Sequence, residues 1–550
     1  MTATAVRQPT RTAVSRASGD TLAGTGTLIR FILRRDRIKL SAWLLGITAL
    51  MLYFTTIVSE VYQTQEQLQD MGRFMGGSFG ALFGGPGYGR DDITLERAIV
   101  GVYAQWFFVL AGLMNMLLVS RHTRVDEQNG RTELIRANVV GRHAQLTAVL
   151  VVAVGANVVL ALLLTGAMTA NGLGAGGALL FAAGIGAVGL IFAGITALTV
   201  QVTEYSRAAT GLTGAAIGVA WAVRALGDMM GDHGSALSWF SPLAWSQQTR
   251  PYVDARWWPL LLSIGLAVAA AAAGYALSTR RDVGAGLVAA RIGAPEAAPW
   301  LRSPLAVAFR LQRSSLLWWT GALAGAGFLW GAVADAMADP TDMDEERIEM
   351  FGGSLDTLVD GYLGVITLFM AVLAGTMVIL GVQAARGEET KGRAEPVLAT
   401  ATGRWAWFGS YLAVVTVGLV GLLLLVGLTT GIGAAISTGD AAYVGKMVAA
   451  HVAHAPGLLV LLGVAALLFG VLPRAIGVTW VILAYGMFSG MFGAIVDLPQ
   501  WAHNLSPLEH AGKPPLDGIA WPAMGILLVI AAGLAAAGLA AFRRRDLETK

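Results

Sequence analysis

The sequence predicts an all-α polytopic membrane protein of about twelve transmembrane helices, arranged as two parallel six-helix repeats. Three observations predict it. Of 550 residues, 55% are hydrophobic and only 13% charged, with mean hydropathy +0.63, whereas soluble domains carry about 25% charged residues. Apolar runs near the roughly 20 residues needed to cross a bilayer recur along the chain. Finally, one polar sentence is written twice: EQNGRTELIRANVVGR at 127–142 and ETKGRAEPVLATATGR at 389–404, at a constant spacing of 262 residues from Gly130 to Gly392.

Residues 1–24 hold Thr, Ala, Ser and Arg without an apolar run and read as a disordered cytoplasmic tail. The first half, 25–282, offers runs near 40–58, 98–120, 144–168, 178–202, 209–226 and 258–278. A Gly-, Ala- and Pro-rich linker covers 283–303. The second half, 304–550, offers runs near 316–334, 362–384, 406–430, 448–472, 475–495 and 519–542. Ahead of each first span lies a basic amphipathic stretch, 28–39 and 305–313, expected to be an interfacial helix leading into the span.

Arginine placement sets the orientation. Arg34, Arg35 and Arg37 precede span one, Arg121 to Arg142 separate spans two and three, Arg280 to Arg313 join the halves, and Arg543 to Arg545 follow the last span. By the positive-inside rule these segments, and both termini, are cytoplasmic. The opposite loop after span seven is acidic from Asp342 to Glu349. The halves correspond further: Gly76-Gly77-Ser78 with Gly352-Gly353-Ser354, Ser241-Pro242-Leu243 with Ser506-Pro507-Leu508, and Arg281-Asp282 with Arg545-Asp546. Units of six spans that start and end on the same side are parallel repeats.

In the repeated loop, Glu127, Gly130, Arg131, Glu133 and Arg142 fall on Glu389, Gly392, Arg393, Glu395 and Arg404. The first glycine permits a turn, a short helix follows, and Gly141 or Gly403 ends it. Such an element lies across the mouth of a two-helix hairpin and can pass a push from a soluble partner into two spans. Topology alone needs arginines, not glutamates in fixed register. Half two departs at Pro396, where half one has Leu134, so the two copies are expected to be unequal.

The pattern E-x-x-G-x-x-E-x-x-x-A followed by G-R resembles the cytoplasmic coupling loop of ABC-2 type transporter permeases. The amphipathic stretch before the first span and the Ser-Pro-Leu before the last look similar too. The fused twelve-span layout resembles the actinobacterial antibiotic exporters of the tetronasin and polyketide type. The resemblance implies an ATP-driven exporter in a bacterial plasma membrane, moving hydrophobic or amphipathic compounds such as antibiotics. It implies two copies of a separate nucleotide-binding ATPase, with ATP and Mg²⁺ on those partners. No cofactor, metal, catalytic residue or nucleic-acid partner is expected on this chain. The sequence agrees, since no G-x-x-x-x-G-K-[ST] phosphate loop occurs in it.

Two other readings stand beside it. A proton-coupled twelve-span carrier shares the parallel layout, but such carriers usually need ionisable groups at mid-membrane. The span centres hold Gln105, Asn115 and Asn157, which read as packing hydrogen bonds. A non-transporting membrane sensor paired with an ATPase would carry the same loops. Hydrolysis within the bilayer would want facing acidic or His pairs at depth, and none is evident. Cysteine is absent, which excludes thiolate chemistry. His451 and His454 have a metal-capable spacing without a third ligand and read as interfacial. Trp257, Trp258, Trp318, Trp319, Trp405, Trp407, Trp501 and Trp521 fall near run ends and read as interface anchors.

Overall fold

The computed structural model describes residues 21–288, 293, 295–337, 357–493, 498–512, 514–516 and 518–547. Among these the regular structure is all helical. The chain divides into two compact units between 292 and 293. Gly352-Gly353-Ser354 and the acidic run from Asp342 to Glu349 lie outside the described residues.

In the first unit, α1 (Thr25–Val61), α4 (Leu95–Arg121), α7 (Ala144–Ala170), α8 (Ala175–Val202), α9 (Ser206–Met229) and α11 (Pro259–Ser278) are the six expected long helices. Between α1 and α4 come α2 (Gln65–Gly76) and α3 (Ser78–Phe83). Between α4 and α7 come α5 (Arg124–Gln128) and α6 (Arg131–Arg136), and α10 (Pro242–Gln247) precedes α11. The second unit holds α12 (Pro304–Ala332), α13 (Ala334–Met337), α14 (Leu358–Thr390), α15 (Ala394–Leu398), α16 (Arg404–Thr438), α17 (Ala442–Ala453), α18 (Ala455–Val471), α19 (Val478–Phe492), α20 (Gln500–His503) and α21 (Trp521–Arg544).

Eleven helical stretches among the described residues are long and apolar enough to cross a membrane, with α17 and α18 counted as one. The twelfth expected span, α12, is a 29-residue helix that falls outside that set, because Trp318, Trp319, Trp330 and its glycines dilute its apolar character. The basic stretches before the first span of each half are helical, and each runs without a break into the span behind it.

Small residues let the long helices close on one another, as packing in a bilayer requires. On α11, Gly274 lies over the Ala197 carbonyl of α8; on α21, Gly538 lies over the Ala466 carbonyl of α18, and a Cβ at either would collide with backbone. Fourth and last spans thus meet in the same way in both units. Asn115 and Asn157 exchange hydrogen bonds of 3.1 and 2.8 Å, and each also donates to the carbonyl four residues back. This is the expected packing role. Gln105 is different: it is buried and its side-chain amide has no hydrogen bond.

Two other expectations are corrected. His451 and His454 are buried, not interfacial, and each places Nδ1 2.9–3.0 Å from the carbonyl four residues back. The continuation of α17 into α18 through Pro456 packs this stretch inside the unit. Among the described residues no group of three or more His, Asp or Glu side chains forms a metal site. Trp407 is likewise core: it stacks on Phe542 with ring centroids 5.5 Å apart. Trp257, Trp258, Trp318, Trp405, Trp501 and Trp521 are exposed, as interface anchors must be.

At the end away from the repeated loop, residues 62–97 fold as a helical cap. Thr64 and Gln67 form a capping box that starts α2. Arg224 of α9, fully buried, donates to the Ala81 and Leu82 carbonyls of α3 at 2.8 and 2.6 Å and pairs with Asp228 at 3.4 Å. Gln247 of α10 donates to the Gly84 carbonyl at 2.6 Å. Ser241 caps α10 with Pro242 in its first turn, whereas the matching Ser506-Pro507 leads into a short 3₁₀ turn, Glu509–Ala511.

Candidate coupling site

The polar sentence folds alike in both units. Gly130 and Gly392 turn the chain at φ of 70° and 69°, a left-handed conformation that favours glycine. The short helices α6 and α15 follow directly. Pro396 stands in the first turn of α15, where a missing N–H costs nothing; α15 has five residues against six in α6.

The repeated residues then separate into three groups. Glu127 and Glu389 turn inward. Glu389, 1% exposed, receives a bidentate pair from Arg545 at 2.6 and 2.7 Å. Glu127 receives the corresponding pair from Arg281 at 2.7 and 3.0 Å. The two arginines are those of the Arg-Asp steps that close each half. The sequence holds both repeats, but pairing them needs a tertiary contact across more than 150 residues. Each latch thus ties the loop to the end of its unit's last long helix, and fork-to-fork geometry fixes the orientation as well as the distance.

The latch is elaborated differently in each unit. Arg124, fully buried, adds a 2.7 Å bond to Glu127 and donates to the carbonyls of Val200 and Ala285. Arg281 also reaches Gln201 at 2.6 Å, and the backbone of Leu287 and Val288 bonds to Gln201 and Val202. In the second unit the Arg545 guanidinium lies 5.0 Å from the ring centroids of both Phe469 and Phe542, and Arg404 donates to the Arg545 carbonyl.

Arg131 and Arg393 form the second group. Each pairs with the acid five residues earlier: Arg131 with Asp126 at 3.3 Å and Arg393 with Glu388 at 2.8 Å through Nε. The hydrogen bonds to Glu388 raise the Arg393 pKa further, so its charge is permanent. Asp126 is also held by Arg35 of α1 at 2.6 Å. Beside it, Asp36 of α1 accepts from His122 at 2.7 Å and lies 3.0 Å from Arg121. Sequence reasoning missed Asp36, although an acid inside a run of basic residues was the available signal. At the comparable point of α12 the buried polar residue is neutral, Gln312.

The third group faces outward. Glu133, Glu395 and Arg142 are exposed. Around Glu133, Leu134 is 72% and Val139 94% exposed, so an acid stands in an apolar patch. In the second unit Pro396 replaces the leucine, while Val397 and Leu398 pack against the core. Backbone bonds from Gly141 and His143 to the Ala23 and Thr21 carbonyls brace the first loop from behind.

The chain is thus a duplicated, all-helical, multi-pass membrane protein with a braced helical loop at one end of each half, an architecture that a membrane permease would have. Comparison with known proteins makes this particular. The profile described as "Multidrug efflux system permease Rv1217c, C-terminal domain" matches residues 26–277 and again 301–543. The chain is 34% identical over 549 residues to the multidrug efflux system permease protein Rv1217c of Mycobacterium tuberculosis (strain ATCC 25618 / H37Rv), covering 97% of this chain and 96% of that protein. The chain belongs to this family of multidrug efflux permeases.

Proposed function

We propose that this chain is the membrane subunit of an ATP-driven exporter of ABC-2 type in a bacterial cell membrane, with both termini cytoplasmic. Two copies of a separate nucleotide-binding ATPase, carrying ATP and Mg²⁺, dock on 127–142 and 389–404. The cargo is a hydrophobic or amphipathic compound, antibiotics and other drugs among them, in keeping with the family's name.

The observation that carries this reading is the division of labour within the loop. Glu133 and Glu395 stand free on short helices, while Glu127 and Glu389 bind the same loops to the last long helix of each unit. A partner bound to the outward glutamates pushes on a lever whose other end is fixed by a bidentate ion pair. A loop that only enforced topology would need neither part. The absence of a phosphate loop from the sequence fits a motor on another polypeptide. The Asn115–Asn157 pair between α4 and α7 is neutral, and the buried Arg224–Asp228 pair serves to hold the cap at the end of α9, which disfavours the proton-coupled carrier.

The test is charge reversal at both outward positions, Glu133→Lys with Glu395→Lys. In the reconstituted complex, drug-stimulated ATP hydrolysis should disappear while membrane insertion and yield stay at the wild-type level. Unchanged stimulation would sink the docking assignment, and drug movement driven by a proton gradient without ATP would favour the carrier.

A further inference from the structure

A cavity of about 840 Å³ opens within the first unit, between α1, α4 and the start of α9. That volume falls in the range of small-molecule sites, about 300–1,000 Å³. Its body is apolar, walled by Trp43 and Ile47 of α1 and by Leu110, Met114 and Leu117 of α4. From Leu110 to Arg121 it follows α4 for ~16 Å at helical rise. Its other end, beside the coupling loop, is polar and charged.

The charges at that end do not cancel. The lining holds one acid, Asp36, and three cations, Lys39, Arg121 and Arg207. Asp36 is already committed to Arg121 and His122. Lys39 and Arg207 are exposed, and among the described residues neither side chain has an ion pair. Thr210, one turn along α9 from Arg207, adds a hydroxyl to the rim. Two uncommitted cations therefore stand at the mouth of an apolar slot, on two different helices.

We propose that this cavity binds an amphiphile with a single anionic head, a carboxylate or phosphate, whose tail lies along Trp43, Ile47 and Met114 and whose head pairs with Lys39 and Arg207. The chemistry is that of an anionic lipid or an acidic amphipathic drug, and it rests on the permease reading above. Cationic amphiphiles of equal length are disfavoured, because the rim would oppose their heads with two positive charges.

The full-length chain, purified in neutral detergent, is titrated with dansyl-undecanoate and followed by energy transfer from tryptophan. A dansyl amphiphile with the same tail and a trimethylammonium head is the comparison. The carboxylate probe should bind at least tenfold tighter than the ammonium probe, and Lys39→Gln with Arg207→Gln should weaken it by tenfold or more, since hydrogen bonds to charged groups are the strong ones. Gly46→Phe should block both probes: Gly46 lines the slot, and a Cβ there meets nothing within 4 Å, so the ring fills the cavity and leaves the charges in place. Competition separates the sources, with displacement by phosphatidylglycerol indicating a membrane lipid and displacement by dodecanoate a free acid. Equal affinity for the two heads, an unaffected double variant, full binding to Gly46→Phe, or displacement by neither competitor would overturn the site. The assay contains no ATPase and no nucleotide, so its failure leaves the coupling reading standing. Lost docking with intact probe binding would do the reverse.

Discussion

Replacing Glu389 with glutamine tests whether the inward glutamate is a fastening. Glu389→Gln keeps the shape and removes the charge, leaving Arg545 one amide oxygen in place of two carboxylate oxygens. Arg545 is only 13% exposed and lies against Phe469 and Phe542. Removing one member of a buried pair costs about 3–5 kcal/mol. The lower end applies here, about 3 kcal/mol, because an acceptor remains and the two rings keep holding the cation. Local opening at the end of α21 and along 386–392 should therefore become roughly 100-fold more frequent, at 1.4 kcal/mol per tenfold. Hydrogen exchange on the purified chain in detergent reads this amide by amide. Glu389→Met with Arg545→Met should recover most of the loss, since a packed apolar pair can replace a buried ionic one. Glu395→Gln, six residues away but exposed, should stay within about 0.5 kcal/mol of wild type. A change below tenfold in Glu389→Gln, or a double variant no better than the single, would refute the latch.

Other expectations follow from the same contacts. Arg545→Met should destabilise more than Arg281→Met, because Glu127 keeps its 2.7 Å bond to Arg124 while Glu389, 1% exposed, loses both arms of its bidentate pair; thermal unfolding of the two variants in one detergent ranks them. Arg224→Met leaves Asp228 buried without its cation and frees the Ala81 and Leu82 carbonyls, so limited proteolysis within 62–97 should speed up at least tenfold while the loop-bearing end stays protected. Asn157→Ala should cost about 0.5–1.5 kcal/mol in unfolding and leave the pH profile of drug transport unchanged, whereas a relay would shift it. Leu134→Asp should weaken ATPase binding at the first loop more than Pro396→Asp does at the second, as titration of the partner onto each variant would measure.

Much of the fold was legible because a bilayer leaves few options. Uninterrupted apolar runs such as 144–168 and 178–202 can only be helices when every backbone group must be satisfied internally, and arginines mark their ends. The turn at Gly130 and Gly392 and the helix after it were equally readable, because left-handed backbone and short-range propensity are local properties. What could not be read was direction. Sequence groups Glu127 with Glu133, but helical phase and a partner 154 residues away decide that one faces inward and the other outward. Trp407, His451 and His454 were misplaced for a related reason. A residue near the end of an apolar run can face lipid or a neighbouring helix, and only packing tells which. The α12 span was legible at 316–334 from its length and its place in the repeat, although its tryptophans and glycines, which suit an interface or a close helix contact, dilute its hydropathy.

The latch has a consequence for how this gene can be cut. In each unit the glutamate and the arginine come from the same half, so each half carries its own buckle and needs nothing from the other to fasten its loop. The strap in the first half includes residues 284–288, which lie alongside the end of α8. Fission of the chain into two co-expressed open reading frames should therefore succeed downstream of that strap, between 293 and 303, and fail at 283, where the severed piece takes the backbone that Arg124 holds. The same modularity offers a route by which a single six-helix gene, once doubled, could have drifted at Pro396 and Gln312 without loosening either copy.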